Sequence, residues 1–284
     1  MPKSVLITGC TVGGSGHALA REFLAKGYRV FATARHVESM GDLATEGAVT
    51  LALDVTDENS VRKARDQVSA STGGTLDILV NNAGQSALIP VIDMPMSEAR
   101  AIFEANLFGP VCMVQEFVHL LIASGDGRIV NIASIGAVMP LPFCAIYNAT
   151  KAAIVSLSNT LRLELAPFGV KVVTVMSGSV KTNIVKPHTL PVGSMYEPYE
   201  ELYQEKRVKP IMMDAMPPED YAREVVSQVI KPSPRNWLWV GTHSFFCWFV
   251  DTFFGQRAFN FIFMQKFGLS EFSAMVKEGK AKTV

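Results

Sequence analysis

Tyr147 and Lys151 lie four residues apart in Tyr147-Asn148-Ala149-Thr150-Lys151, within a stretch, 145–167, whose pattern predicts a helix. That spacing puts a phenol and an ammonium on one helix face. An unperturbed tyrosine titrates near ~10 and an unperturbed lysine near ~10.4. A neighbouring cation favours the phenolate, so the pair predicts a Tyr147 pKa lowered toward neutrality and a phenol able to exchange a proton at cellular pH. Such pairs are also common on solvated helix surfaces, so the meaning of this one depends on what surrounds it.

Three other segments supply that context. Ser4-Val5-Leu6-Ile7 is a short apolar run that fits a buried parallel strand. It leads into Thr8-Gly9-Cys10-Thr11-Val12-Gly13-Gly14-Ser15-Gly16, after which 17–26 reads as a helix closed by Gly27. Strand, glycine-rich turn and helix is the setting in which helix N-terminal N–H groups hold a dinucleotide pyrophosphate, although an ordinary glycine turn has the same outline. Arg35 follows the strand candidate 28–33, and no Asp or Glu occurs between Tyr28 and Val37. An acidic residue there would bind the ribose 2′-hydroxyl of NAD, whereas an arginine suits the 2′-phosphate of NADP. Ile78-Leu79-Val80-Asn81-Asn82-Ala83-Gly84 is a further strand ending in a polar turn, where asparagine can tie the backbone and glycine permits close approach.

The elements that must position these residues alternate regularly. Strands are predicted at 4–8, 28–33, 48–53, 76–80, 127–132, 170–175 and 236–240, and helices at 16–26, 57–71, 97–123, 145–167 and 217–230. Crossovers of this length join parallel strands with right-handed connections. The expected fold class is α/β, a single-domain Rossmann-type doubly wound seven-stranded parallel sheet with an aromatic-rich helical extension. The catalytic domain would span 1–242, with a substrate lid at 183–216, and the extension 243–284. Ligands should bind beyond the carboxyl ends of the strands, where the named residues cluster.

With the glycine-rich turn, Asn-Asn-Ala-Gly and Tyr-x-x-x-Lys in this order, the chain resembles the short-chain dehydrogenase/reductase family over most of residues 3–230. The resemblance implies a catalytic set of Ser134, Tyr147 and Lys151, with Asn106 holding a water that relays protons to Lys151. It implies hydride transfer between nicotinamide and a carbonyl carbon, with NADPH/NADP+ as cofactor. Tyr147 would protonate the developing alkoxide, Ser134 would hydrogen-bond the substrate oxygen, and Lys151 would lower the Tyr147 pKa and bond the nicotinamide ribose. The cofactor-binding set implied is Gly9, Thr11, Gly13, Gly14, Ser15, Gly16, Arg35, Asp54, Val55, Asn82, Ala83, Gly84, Tyr147, Lys151, Gly178, Val180 and Thr182. Asp54-Val55 resembles the family's adenine-edge contact, and Thr182 suits the carboxamide. A helix N-cap near Thr56 and Asp57 is the plainer reading of Asp54, and a helix kink beside Gly109 and Pro110 that of Asn106.

Three departures from the family pattern stand out. The glycine-rich turn carries one extra residue, Ser15 stands where an isoleucine is usual, and Ser177 replaces the proline of Pro-Gly-x-x-x-Thr, which removes a φ constraint. The aromatic tail, the long turn and Ala32-Thr33-Ala34-Arg35 together look like the fungal-type NADPH-dependent 1-acyldihydroxyacetone-phosphate reductases. That group is similar to 17β-hydroxysteroid dehydrogenases and includes enzymes of secondary metabolism. A bulky, lipid-like ketone is implied. In this family the equivalents of helices 97–123 and 145–167 pack against a second subunit, so a homodimer or homotetramer is expected.

Composition narrows the classes. Of 284 residues, 26 are Lys or Arg and 26 are Asp or Glu, so no basic footprint argues for nucleic acid. Cys10, Cys112, Cys144 and Cys247 are dispersed, which fits a reducing, cytoplasmic setting, and the five histidines show no metal-ligand spacing. Met195, Tyr196, Tyr199, Met212 and Met213 are expected to line an apolar pocket beneath the lid. Residues 237–264 hold eleven Trp and Phe side chains, yet Asp251, Gln256 and Arg257 interrupt them and no uncharged run reaches the ~18 residues of a spanning helix. A helix lying on a membrane surface through 243–264, a cover over the substrate entrance and a subunit contact are all open readings of that tail. A non-catalytic NADPH-binding regulator is the rival from another class, and the complete Ser134, Tyr147, Lys151 set argues against it.

Overall fold

The computed structural model describes residues 2–184 and 189–279. One sheet of seven parallel strands comprises β1 (Ser4–Thr8), β2 (Arg29–Ala34), β3 (Val49–Ala52), β4 (Ile78–Asn81), β5 (Arg128–Ile132), β6 (Lys171–Ser177) and β7 (Trp237–Val240). Their spatial order is β3-β2-β1-β4-β5-β6-β7. Helices α1 (Ser15–Ala25), α2 (Glu58–Thr72), α3 (Met96–Phe103), α4 (Gly109–Ala123) and α5 (Ala145–Glu164) form the crossovers, followed by α6 (Glu200–Tyr203), α7 (Lys209–Met213) and α8 (Pro218–Val229). The expected α/β doubly wound architecture is the one found.

The pleat explains why this sequence takes these positions. Side chains on a strand alternate between faces. On β1, Val5 and Ile7 pack with Phe23 of α1 and Val225 of α8, while Leu6 points to the opposite face with Val61 of α2 and Phe117 of α4. A strand buried on both faces needs apolar residues throughout, which is the run that the sequence displays. Strand order reverses between β1 and β4, and the carboxyl ends of these strands nearly touch there. Gly9 has φ +75°, and a Cβ on it would lie 2.9 Å from the Ala83 Cα.

The predicted helix at 97–123 is present but interrupted. Between α3 and α4, Glu104–Phe108 forms a π turn, which inserts one residue into the helical ladder. The continuous helix Met96–Ala123 is apolar and long enough, by length and composition, to cross a bilayer. Here Met113, Phe117 and Leu121 pack against the sheet.

The tail folds back onto the carboxyl end of the sheet as α9 (Ser244–Phe254), α10 (Arg257–Lys266) and α11 (Leu269–Lys277). Cys247, Val250, Phe259, Phe263 and Phe267 pack on Ile135 and Met139, which follow β5. Phe272 joins Phe143, Tyr199 and Tyr203 in an adjoining cluster. The opposite side of the tail is bare: Phe245 is 72% exposed and Phe261 75%, and Phe249, Phe253 and Phe254 are exposed beside them.

Candidate active site

β5 and α5 deliver the three groups singled out from the sequence. β5 ends at Ile132, and two residues later the hydroxyl of Ser134 accepts from the Gly136 N–H at 3.1 Å, which closes a short 3-10 turn. Phe143, with φ +64°, turns the chain into α5, whose first two turns carry Tyr147 and Lys151. The Ser134 hydroxyl stands near enough to the Tyr147 phenol to favour its ionised form. The Lys151 ammonium donates to the Ile132 carbonyl at 2.7 Å and lies 5.7 Å from the Tyr147 ring centroid. All three border one cavity of about 510 Å³, together with Ser15, Asn82, Gly178, Val180 and Thr182.

The electrostatics reverse one expectation. Burial pushes the Tyr147 phenol up to about 12, and the nearby Ser134 hydroxyl only partly opposes it. Burial likewise lowers the Lys151 ammonium to about 8. Desolvation penalises whichever form is charged, and here it outweighs the attraction that the four-residue spacing suggested. Tyr147 is therefore poised as a proton donor rather than as a phenolate.

The long glycine-rich turn has specific partners. The Thr8 hydroxyl accepts from the N–H groups of Asn82 (3.0 Å) and Ala83 (2.9 Å). The Asn82 amide donates to the carbonyls of Thr8 (2.8 Å) and Gly9 (3.1 Å), and its oxygen accepts from Ser15 Oγ at 2.8 Å. Ser15, polar where an apolar residue is usual, is thus satisfied within the turn. Gly16 is obligatory by contact, because a Cβ there would lie 2.4 Å from the Gly9 carbonyl oxygen. The extra residue lets Val12 N–H donate to Ser39 O at 2.9 Å, on the segment just beyond Arg35, while Thr11 Oγ1 meets Ser39 Oγ at 3.3 Å. Helix α1 has Gly14 at its N-cap, no side-chain cap and no acidic residue in its first turn, so its N–H groups are available to an anion.

Other expected residues fall as follows. Arg35 is exposed at the carboxyl end of β2, beside this turn. The Asp54 carboxylate accepts from Thr56 N (2.9 Å) and Oγ1 (2.8 Å), and it is Asp57 that caps α2. Val55 is buried under Gly109. Gly84 abuts the side chain of Asn106. Asn106 lies in the π turn and is a brace: its oxygen accepts from Gln85 N–H at 2.7 Å, and its amide donates to Gln85 O (2.9 Å) and Thr150 Oγ1 (3.0 Å). Both amide hydrogens are spent on protein groups, so any water held by this side chain would have to donate to its oxygen. Ser177, in place of proline, pairs its hydroxyl with Tyr221 OH at 2.6 Å, a contact that proline would forfeit.

The apolar wall differs from the expected one. None of Met195, Tyr196, Tyr199 and Met213 borders the cavity; Tyr199 is buried behind it, Met213 is 85% exposed, and residues 185–188 of the expected lid and the side chain of Met212 lie outside the described residues. From the expected lid the cavity instead receives Arg207, Pro210 and Asp214, and from the tail Phe246, Cys247, Ile262, Phe263, Lys266 and Phe267. The inner side of the tail is therefore a wall of the site. Met139, Leu141 and Cys144 also border it, from the interval between Ser134 and Tyr147, and that interval was the signal that could have found them.

The model of the short chain dehydrogenase family matches residues 3–191. The chain belongs to the short-chain dehydrogenase family. A short-chain dehydrogenase of Pyricularia oryzae is 43% identical over 272 residues, covering 94% of this chain and 95% of that protein. The NADPH-dependent 1-acyldihydroxyacetone phosphate reductase of Schizosaccharomyces pombe is 42% identical over 255 residues, covering 84% and 86%. Among solved structures, a short-chain dehydrogenase from Streptomyces avermitilis superposes with a TM-score of 0.76 at 26% identity, covering 100% of this chain and 99% of that one. One from Burkholderia cenocepacia, in complex with NADP, gives 0.70 at 25% identity, covering 90% and 95%. The family fixes the sheet and the oxidoreductase class.

Proposed function

We propose that this short-chain dehydrogenase is an NADPH-dependent carbonyl reductase for a bulky, apolar or lipid-like ketone, with Tyr147 as general acid. The observation that carries the reading is the convergence of Ser134, Tyr147 and Lys151 on one cavity with Leu88, Ile135, Met139, Leu141, Phe246 and Phe263 around it. The choice of NADPH is supported by Arg35, by the NADPH-dependent relative and by the NADP-bound structure.

The residues present fit that cofactor. The uncapped N-terminus of α1, with Gly13, Gly14, Ser15 and Gly16, would hold the pyrophosphate on a turn shaped by Gly9 and Thr11. Arg35 would meet the 2′-phosphate, and Asp54 and Val55 the adenine edge. Asn82, Ala83 and Gly84 would border its middle, Tyr147 and Lys151 the nicotinamide ribose, and Gly178, Val180 and Thr182 the carboxamide. When bound, NADPH supplies the hydride.

The chain's own groups do the rest. Tyr147 gives its proton to the carbonyl oxygen as the new C–H bond forms, so ketone, hydride and proton become an alcohol. A phenol is more acidic than the alcohol it creates, so the transfer runs downhill once charge develops on the oxygen. Ser134 donates a hydrogen bond to that oxygen and so stabilises the charge where it appears. The Lys151 ammonium offsets the phenolate left behind. Replacing Tyr147 with Phe should lower turnover by ~10²–10⁴-fold while NADPH still binds. Full activity in Tyr147→Phe would remove Tyr147 as the acid.

The bare aromatic side of α9 and α10 favours a further element of this reading, a tail laid on a lipid surface that presents apolar ketones to the cavity. Exposed Phe108, Leu163 and Phe168 on and beside α4 and α5 support a homodimer or homotetramer through those helices.

A further inference from the structure

The cavity contains a buried cation that ketone reduction leaves unused. Arg207 stands in a π turn, Gln204–Val208, on the cavity wall and is 3% exposed. Its Nε donates to Pro142 O at 3.0 Å and one Nη to Cys144 Sγ at 3.1 Å, and its guanidinium lies 5.4 Å from the centroid of Phe267. These contacts fix its orientation without neutralising it. Acidic side chains on adjacent elements are engaged elsewhere: Glu271 with Lys206, Asp214 with His243, and Glu200 with Leu190 N–H and Gln204. Among the described residues, no carboxylate forms an ion pair with Arg207.

A buried guanidinium without a counter-ion is costly, and a fork of N–H groups is built for two parallel bonds to carboxylate or phosphate. Arg207 has more N–H groups than the two acceptors it meets, and its side chain borders the cavity. Lys266 from α10 also borders the cavity, whose one acidic side chain among the described residues, Asp214, already faces His243. Cys144, which Arg207 touches, precedes Tyr147 by three residues, less than one helical turn or ~4.5 Å of rise. The cation and the proton donor thus border one cavity, with Cys144 between them in the lining.

We infer that Arg207 is a specificity-determining residue, and that the ketone carries an anionic group, carboxylate or phosphate, a few bonds from the carbonyl, with its apolar remainder along Phe246, Ile262 and Phe263. This rests on the carbonyl-reductase reading. A purely structural Arg207, bracing the Pro142 loop against Phe267, would show no preference for charge in the ligand.

The test is calorimetric titration of the NADP+-loaded protein with three matched probes: an alkyl γ-keto carboxylic acid, its methyl ester and the corresponding alkyl keto phosphate. Wild type should bind the acid or the phosphate at least about tenfold more tightly than the ester, as a charge-assisted bond implies; which of the two wins identifies the source of the anion. Arg207→Gln should abolish the preference, Arg207→Lys should retain part of it, and NADP+ affinity should be the same in all three proteins. Equal binding of acid, phosphate and ester to wild type overturns the inference, and so does binding of none; this comparison stands even if Arg207→Gln does not fold. A preference that survives Arg207→Gln but disappears in Lys266→Gln moves recognition to α10 and also overturns it. Tyr147-dependent reduction of neutral ketones without an anion preference would sink this inference alone, whereas failure to bind NADP+ would sink the reductase reading beneath it.

Discussion

Replacing Asn106 with Ala separates two roles for this residue. Its side chain is 1% exposed and holds the Gln85 N–H and C=O by bonds of 2.7 and 2.9 Å, and Thr150 by a third of 3.0 Å. Thr150 keeps its own bond to the Tyr147 carbonyl at 2.7 Å, so alanine strands two backbone groups rather than three. Each stranded group costs ~1–3 kcal/mol, and taking ~1.5 for these part-buried ones gives ~3 kcal/mol. For a chain of this size that corresponds to a fall in Tm of ~6 °C or somewhat more. Thermal denaturation followed by circular dichroism, beside NADPH oxidation with a reducible ketone, reads both quantities. A Tm within ~1 °C of wild type would refute the brace, since the bonds it removes would then carry no net stability. Unchanged Tm with lost turnover would instead return the amide to proton relay.

Other expectations follow from the same geometry. Arg35→Asp should weaken NADPH by ~10–100-fold, the worth of charge-assisted bonds to a phosphate, and leave NADH nearly unaffected in equilibrium titrations; equal losses would remove the 2′-phosphate contact. Tyr147, at about 12, stays protonated through the working range, whereas Lys151, at about 8, loses its charge as pH rises through that value. Reductive turnover should therefore decline above about pH 8, and a profile flat up to the ordinary lysine range near ~10.4 would contradict the lowered Lys151 pKa. Phe249→Ser with Phe253→Ser should reduce flotation with anionic liposomes without altering NADPH affinity; undiminished flotation would free the aromatic surface from the lipid role.

The parts legible in the sequence were those whose signal is local. Val5, Leu6 and Ile7 announce a strand because a sheet covered on both faces needs nothing else, and Tyr147 and Lys151 meet because a helix brings fourth neighbours together. The Tyr147 pKa was read with the wrong sign because the adjacent charge is visible in the chain, whereas the burial that dominates it arises from the fold. The π turn at 104–108 escaped notice because one inserted residue scarcely disturbs an apolar pattern. The cavity wall was misplaced for a related reason: Met195 and Tyr199 look like pocket residues by type, while Phe246, Phe263 and Phe267 reach it only because the tail doubles back. Arg207 carried no local signal at all, since its neighbours Cys144 and Phe267 are distant in the chain.

The doubled-back tail divides labour within the molecule. The cradle proposed for the nucleotide is made chiefly by strand ends of the N-terminal half, whereas one flank of the cavity is drawn from α9, α10 and the residue that ends α10. Because α9 and α10 supply that flank without bearing Ser134, Tyr147, Lys151 or the glycine-rich turn, changes confined to them can reshape the apolar wall while the triad and the turn stay in place.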